Sequence, residues 1–375
     1  MDLVRGAIMI LMALDHTRDF FGIPGQSPTN LATASAPLFL TRWVTHFCAP
    51  GFCFLMGTGA FLAGSRRASA DLTRFLFTRG LWLIFLELVV VRCFAYQFNV
   101  DYRITLLLVL WSLGWTLIVL AALHRLPVAA VGAIGAILIA GHNLFDGIRS
   151  AHPLWRILHA QGVVADVSGH VVFVAYPLVP WIGVGAMGYA LGAIYQWPAD
   201  RRQAFLLRAG VAVSVLFVLV RGINVYGDPR PWKHQATGLF TALSFLNTTK
   251  QPPSLDFLLM TLGPILLALY VAERWSAWPR LTIAFGRVPL FYFVLHFVLL
   301  HALAAAVCLV RYGSMHWMFE SPDLANYPFT PPPGWGFSLP VVYALWVSVV
   351  VVTYPACRWF AGVKARRRDW WLGYL

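Results

Sequence analysis

Long apolar stretches alternate with short polar ones from the first residue of the chain to the last. A bilayer core about 30 Å thick needs roughly 20 apolar helical residues to cross it. Ten stretches of about that size are predicted: Leu3–Phe21, Phe39–Gly64, Arg74–Phe98, Ile104–Leu123, Pro127–Asn143, His170–Tyr195, Ala204–Tyr226, Ser254–Glu273, Leu281–Val310 and Ser338–Phe360. The ninth is long enough to be tilted or broken, and a split there would raise the count to eleven. The fifth is short and rich in Gly and Ala, so it should pack tightly against a neighbour. No internal repeat or low-complexity segment interrupts the series, and no stretch between spans is long enough for a separate domain. The pattern predicts an all-α fold, a polytopic helical bundle in which residues 1–375 form a single integral membrane domain.

Composition agrees with the pattern. The 375 residues are 59% hydrophobic and 11% charged, with mean hydropathy +0.70, whereas a soluble domain carries about 25% charged residues. The formal charge of +13 would suggest nucleic acid in a soluble protein; here basic residues are better read as anchors on the inner side of a membrane. With the N-terminus inside, 16 Lys and Arg residues fall on the inner side and 7 on the outer. Both termini are therefore expected in the cytoplasm, in keeping with an even span count. The first apolar segment has no small-residue cleavage site and runs into charged residues, so no cleavable signal peptide is predicted. The five cysteines, Cys48, Cys53, Cys93, Cys308 and Cys357, lie in apolar segments without Cys-x-x-Cys spacing, so they read as packing residues. Arg outnumbers Lys 25 to 3, which with abundant Ala and Leu suggests a GC-rich bacterial genome and a bacterial inner membrane.

The first apolar segment ends in Asp15-His16-Thr17-Arg18-Asp19, and titratable groups at membrane depth usually mark function. His16 and Asp19 share a helix face, as do Asp15 and Asp19, so Asp19 is expected to orient His16 as a general base while Arg18 neutralises Asp15. By depth, Arg42 and His46 of the second span, and His296 and His301 of the ninth, fall near the level of His16. No His-x-x-x-His pair exists, and no metal is expected. Glu87, near the bilayer centre, calls for an Arg partner from another span; Arg221 and Arg287 are similar cases. The inner pairs Arg66-Arg67 and Arg201-Arg202 are candidates for holding cofactor phosphates. Two long outer loops follow Tyr226 and Val310. The first ends in Ser244–Ser254, and the second carries Trp317, Tyr327, Phe329 and Trp335, suited to sugar faces or to a membrane interface. Asn247-Thr248-Thr249 matches a glycosylation sequon by pattern only.

Together these residues form a resemblance. Asp2-Leu3-Val4-Arg5-Gly6 and the helix ending Asp15-His16-Thr17-Arg18-Asp19-Phe20-Phe21 are similar to bacterial members of the heparan-alpha-glucosaminide N-acetyltransferase catalytic-domain family. The similarity continues through Pro50–Gly57, Tyr176–Gly183, Ser244–Ser254 and Phe285–Tyr292, running on to His296 and His301. It implies a polytopic acyltransferase that takes an acetyl group from cytosolic acetyl-CoA to an amine on the far side of the membrane. In the family's lysosomal enzyme a catalytic Asn stands where His16 stands here, and a catalytic His follows in the loop; Gly22–Pro37 of this chain contains no His.

The reading that follows is an acyl-CoA-dependent transferase acting on an extracytoplasmic sugar or glycan, with no nucleic-acid partner; a homodimer is compatible with it. Its expected catalytic residues are His16, Asp19, Asp15, His46 and His301. Its expected substrate-binding residues are Arg18, Arg42, Glu87, Asn247, Lys250, Arg287 and His296, with Arg42, His46 or Lys250 stabilising the oxyanion. Arg5, Arg66 and Arg67 are expected to hold the acyl donor. The alternatives are a proton-coupled permease with a His/Glu/Arg pathway, against which the lack of a repeat counts, and a non-catalytic membrane partner.

Overall fold

The computed structural model describes residues 1–275, 280–321, 323–324, 328–367 and 369–374. Tyr327 of the second long loop, and Arg368 and the side chain of Arg280 among the cations counted on the inner side, lie outside the described residues. Helix α1 (Asp2–Phe21) is followed by α2 (Ala36–Thr45), α3 (Cys48–Gly64) and α4 (Ser69–Phe85), which continues as a π-helix over Leu86–Tyr96. Strand β1 (Ile104–Leu107) leads into α5 (Val109–Leu123). Then come α6 (Val128–Gly141), α7 (Pro153–Leu158), β2 (Gly162–Val167), β3 (His170–Val174), α8 (Leu178–Gly192) and α9 (Ala199–Ile223). The last third holds α10 (Gly238–Leu246), α11 (Leu255–Arg274), α12 (Arg280–Arg287), α13 (Pro289–Tyr312) and α14 (Leu339–Arg366).

Seven helical stretches among the described residues are long and apolar enough to cross a membrane: Ala36–Gly64, Val128–Phe145, Leu178–Gln196, Ala199–Ile223, Leu255–Arg274, Pro289–Tyr312 and Leu339–Arg366. The other three predicted spans are also largely helical, and each falls short for a visible reason. Helix α1 carries Asp2, Arg5, Asp15, Arg18 and Asp19; α4 with its π-helical continuation carries Arg74, Arg79, Glu87 and Arg92; and α5 has 15 residues.

The fold is mostly helical but not purely so. Where the fourth and sixth spans were predicted to begin as helix, residues 104–107 and 170–174 are strands of a three-stranded sheet ordered β1-β3-β2. β1 runs parallel to β3, and β2 antiparallel to it. Val163, Val164, Val171, Val172 and Val174 favour strand through their branched Cβ atoms. Ser168 and Gly169, both at positive φ, supply the tight turn that hairpins prefer. The ninth span is broken at Val288, ahead of Pro289. Over its described residues helix α12 is about 12 Å long, short of a bilayer crossing.

Helix α1 sits at the centre, packed against α2, α3, α11, α12, α13 and α14. Its contact with α12 needs glycine on both sides. A Cβ on Gly6 would lie 1.8 Å from the Thr282 carbonyl oxygen, and one on Gly286 would lie 1.8 Å from that of Asp2. Arg5 reinforces the crossing by donating to the Gly286 carbonyl at 3.2 Å. The Gly/Ala-rich α6 packs on α8 as expected, with Gly135 and Gly183 at the contact.

Candidate active site

The C-terminal half of α1 carries the site. His16 is partly exposed, stacked on Phe297 with ring centroids 4.1 Å apart, and edge-on to Phe293 at 6.2 Å. Its Nδ1 lies 2.7 Å from Nε2 of His296, and Nδ1 of His296 lies 2.8 Å from the Tyr292 carbonyl oxygen. A carbonyl only accepts, so His296 carries its proton on Nδ1 and offers the Nε2 lone pair. His16 therefore donates from Nδ1, and its Nε2 is left unprotonated. The second imidazole fixes the tautomer of the first, which is the arrangement a general base or nucleophile requires.

Asp15, the neighbouring residue, is buried and held by Arg18 at 2.8 Å, by the Thr45 hydroxyl at 3.0 Å and by Arg42. This clamp ties α2 to α1. Arg18 also pairs with Asp19 at 2.9 Å, and its Nη1 is buried with no hydrogen-bond partner among the described residues. Asp19 thus serves Arg18; no hydrogen bond joins it to His16 among the described residues, so His296 takes the orienting place expected of Asp19. Lys250 arrives on the outer loop before α11. Asp228 fixes that loop by accepting from the Thr249 amide (2.7 Å), the Thr249 hydroxyl (2.8 Å) and the Ser254 hydroxyl (2.6 Å). The Lys250 ammonium lies 6.0 Å from the Tyr176 ring centre. Burial, followed by the like charge of Arg42, pushes its pKa down to about 8.

Two cavities lie along α1, one beside residues that precede His16 and one beside residues that follow it, here called inner and outer after the expected orientation of the chain. The inner one, about 310 Å³, is walled by apolar side chains including Met9, Leu55, Leu113 and Phe293, with Arg5, Arg79, Arg287 and Lys364 as its cations. The outer one, about 210 Å³, is lined by Arg18, Asp19 and the 22–28 loop on one side and by Phe329, Trp335 and Phe337 on the other. Its aromatic wall is bonded to the end of α1. Trp335 donates to the Phe20 carbonyl at 3.0 Å, and the Phe337 amide to that of Phe21 at 2.8 Å, satisfying carbonyls that a helix end leaves open.

Other expected residues lie elsewhere. Among the described residues Glu87 has no Arg partner; its carboxylate accepts from the amides of Leu110 (2.7 Å) and Trp111 (3.3 Å), capping the first turn of α5. His301 is stacked on Phe98 and bonded to the Met318 carbonyl at 2.7 Å, so it braces the outer loop rather than meeting His16. His46 is buried edge-on against Phe257, with Nδ1 unpartnered among the described residues. Arg221 is spent on the carbonyls of Phe245, Arg230, Ser244 and Asn247 and on Asp256. Asn247 bonds to the Thr29 carbonyl, away from His16. Of the expected donor-binding residues, Arg5 reaches the inner cavity. Arg66 is exposed outside it, and Arg67 stacks over Phe75 of its wall. Arg202 pairs with Glu273 at 2.9 Å. Arg287, expected to touch the acceptor, belongs to the inner cavity. Arg79 and Lys364, also there, were legible only as inner-side cations. Thr45 was missed, its signal being one polar residue beside His46. Among the described residues no group of three His, Cys, Asp or Glu side chains is placed to hold a metal.

No curated protein matches the chain. The family model described as "Heparan-alpha-glucosaminide N-acetyltransferase, catalytic" matches residues 1–226. That region contains α1 with His16, the clamp from α2 and most of the apolar wall of the inner cavity. Enzymes of this family use acetyl-CoA as donor, and its function is of the membrane acetyltransferase type. On this match, over more than half its length, the chain belongs to the heparan-alpha-glucosaminide N-acetyltransferase catalytic family.

Proposed function

We propose that this protein moves an acetyl group from acetyl-CoA, bound from the inner, cytoplasmic face, to an amine or hydroxyl of a sugar or glycan at the outer face of a bacterial plasma membrane. The observation that carries this reading is that α1 borders a cation-bearing apolar cavity with Arg5 and Met9 and a polar, aromatic one with Arg18 and Asp19, and bears His16, with an uncommitted Nε2, between those two sets of residues. The inner cavity suits a donor with phosphates at one end and a narrow thioester arm at the other. The phosphates would meet Arg5, Arg79, Arg287 and Lys364, and the arm would lie against Met9 and Phe293. The outer cavity suits a sugar, whose apolar face stacks on Trp335 or Phe337 and whose hydroxyls meet Asp19 and the unspent Nη1 of Arg18.

His16 Nε2 would take the proton of the acceptor N–H or O–H as that atom attacks the thioester carbon. The imidazolium so formed is stabilised through Nδ1–H by His296. Breakage of the C–S bond releases the thiolate, which takes the proton back from His16. Arg18, Arg42 and Lys250 outnumber Asp15 and Asp19 by one formal charge, a field that favours the tetrahedral oxyanion. The test is transfer of labelled acetyl from acetyl-CoA to glucosamine by protein in proteoliposomes. His16→Gln should abolish transfer and retain donor binding; turnover by that variant would contradict the assignment.

A further inference from the structure

A second outer cleft, away from His16, is unaccounted for by acyl transfer. It is a shallow, open depression of about 450 Å³ between the 27–32 loop and the segment from Arg230 to Asn247, and its wall is mainly polar: Thr29, Asn30, Arg230, Lys233, Ser244 and Asn247. Arg230 and Lys233 are exposed, and among the described residues neither has a carboxylate within ion-pair distance. Arg230 spends its Nε on the Thr249 hydroxyl at 3.0 Å, which leaves its terminal nitrogens unspent. Asn247 donates from Nδ2 to the Thr29 carbonyl at 2.9 Å, which fixes the amide; its Oδ1 is buried with no donor facing it among the described residues. The cleft therefore offers two cations to an anion and one buried acceptor to a hydroxyl.

Its setting narrows the ligand. The segment leaves the end of α9, a helix whose apolar residues are largely uncovered, and beside it Ile223, Val225 and Leu239 are 69%, 86% and 57% exposed. Apolar side chains of this kind, next to paired cations at the end of a membrane-crossing helix, belong at the level of lipid headgroups.

We infer that this cleft binds the glycerophosphate headgroup of an anionic phospholipid in the outer leaflet. The phosphate lies between Arg230 and Lys233, a headgroup hydroxyl donates to Asn247 Oδ1, and the acyl chains run down past Ile223 and Val225. The occupant is taken as lipid because the cleft lies beside exposed apolar residues at the end of α9, where hydrocarbon gives way to headgroups.

Lipid retention by the purified full-length protein, read by native mass spectrometry, tests the assignment. Phosphatidylglycerol should be retained over phosphatidylcholine by roughly 25-fold, about fivefold for each cation. The doubly substituted Arg230→Gln/Lys233→Gln protein should lose that preference. Its thermal midpoint in phosphatidylcholine should stay within a few degrees of the parent's, which separates lost binding from lost folding. Equal retention of the two lipids, or a preference that survives the double substitution, would overturn the site. Retention of phosphatidic acid as strong as that of phosphatidylglycerol would overturn the role given to Asn247. Binding of free glycerol phosphate without any lipid preference would overturn the lipid as occupant.

Discussion

At the residue scale, the proton on His296 Nδ1 decides what His16 can do. Because that proton is spent on the Tyr292 carbonyl, His296 can only accept from His16, and Nε2 of His16 is left as the basic atom. Replacing His296 with Ala should therefore lower kcat by about 10²-fold with little change in KM for the donor. A purely structural role would instead lower the amount of folded protein and leave kcat per folded molecule unchanged. Lys250 gives a prediction in pH. Its pKa of about 8 lies below the usual lysine value, so the folded protein gives up this proton before the unfolded chain does. Stability should rise with pH between about 8 and the ordinary lysine range, because there the unfolded chain binds more protons. Activity that relies on the ammonium should fall as pH rises through about 8, and Lys250→Met should remove that limb of the profile. Spacing in the sequence was enough to foresee the Asp15–Arg18 pair and to bring His296 to His16 and Arg42 to Asp15. It could not separate Asp19 from His296 as the orienting group, because both fall within reach and only side-chain direction distinguishes them.

At the element scale, the crossing of α1 and α12 joins two motifs that are 280 residues apart. Gly6 and Gly286 each face a backbone carbonyl of the opposite helix, so neither helix can approach if either glycine gains a side chain. Gly6→Ala should cost about 1–3 kcal/mol by overpacking and lower the thermal midpoint in detergent. Gly286→Ala should behave alike, and the double variant should cost less than the sum, since one separation relieves both clashes. The apolar runs made the helices legible, and the inner-side cations located one end of the bundle. The sheet was not legible: a run such as Val171–Val174 is equally apolar as strand or as buried helix, and the choice is made by its partners β1 and β2. The Glu87 cap on α5 was hidden for a related reason. A lone buried carboxylate calls for a partner, but the sequence does not say whether that partner is a guanidinium or a helix start.

At the scale of the whole molecule, α1 links an inner chamber to an outer one without an open passage being needed. On the proposed function, the donor's thioester and the acceptor's nucleophile would meet at His16 from opposite sides. Glu87 and Arg92 are committed to α5 and to Asp101, so the buried charges do not form the continuous line that a permease reading requires. On the proposed function, the inner cavity holds the acyl donor. The measurement that tests it most directly is acetyl-CoA binding to the purified protein by calorimetry, beside Arg79→Gln/Arg287→Gln, Arg66→Gln and His16→Gln. Binding should weaken by at least about tenfold when the two cavity cations are removed, with little change for Arg66→Gln or His16→Gln. A folded protein that binds no acetyl-CoA, or binds it equally well without Arg79 and Arg287, would contradict it.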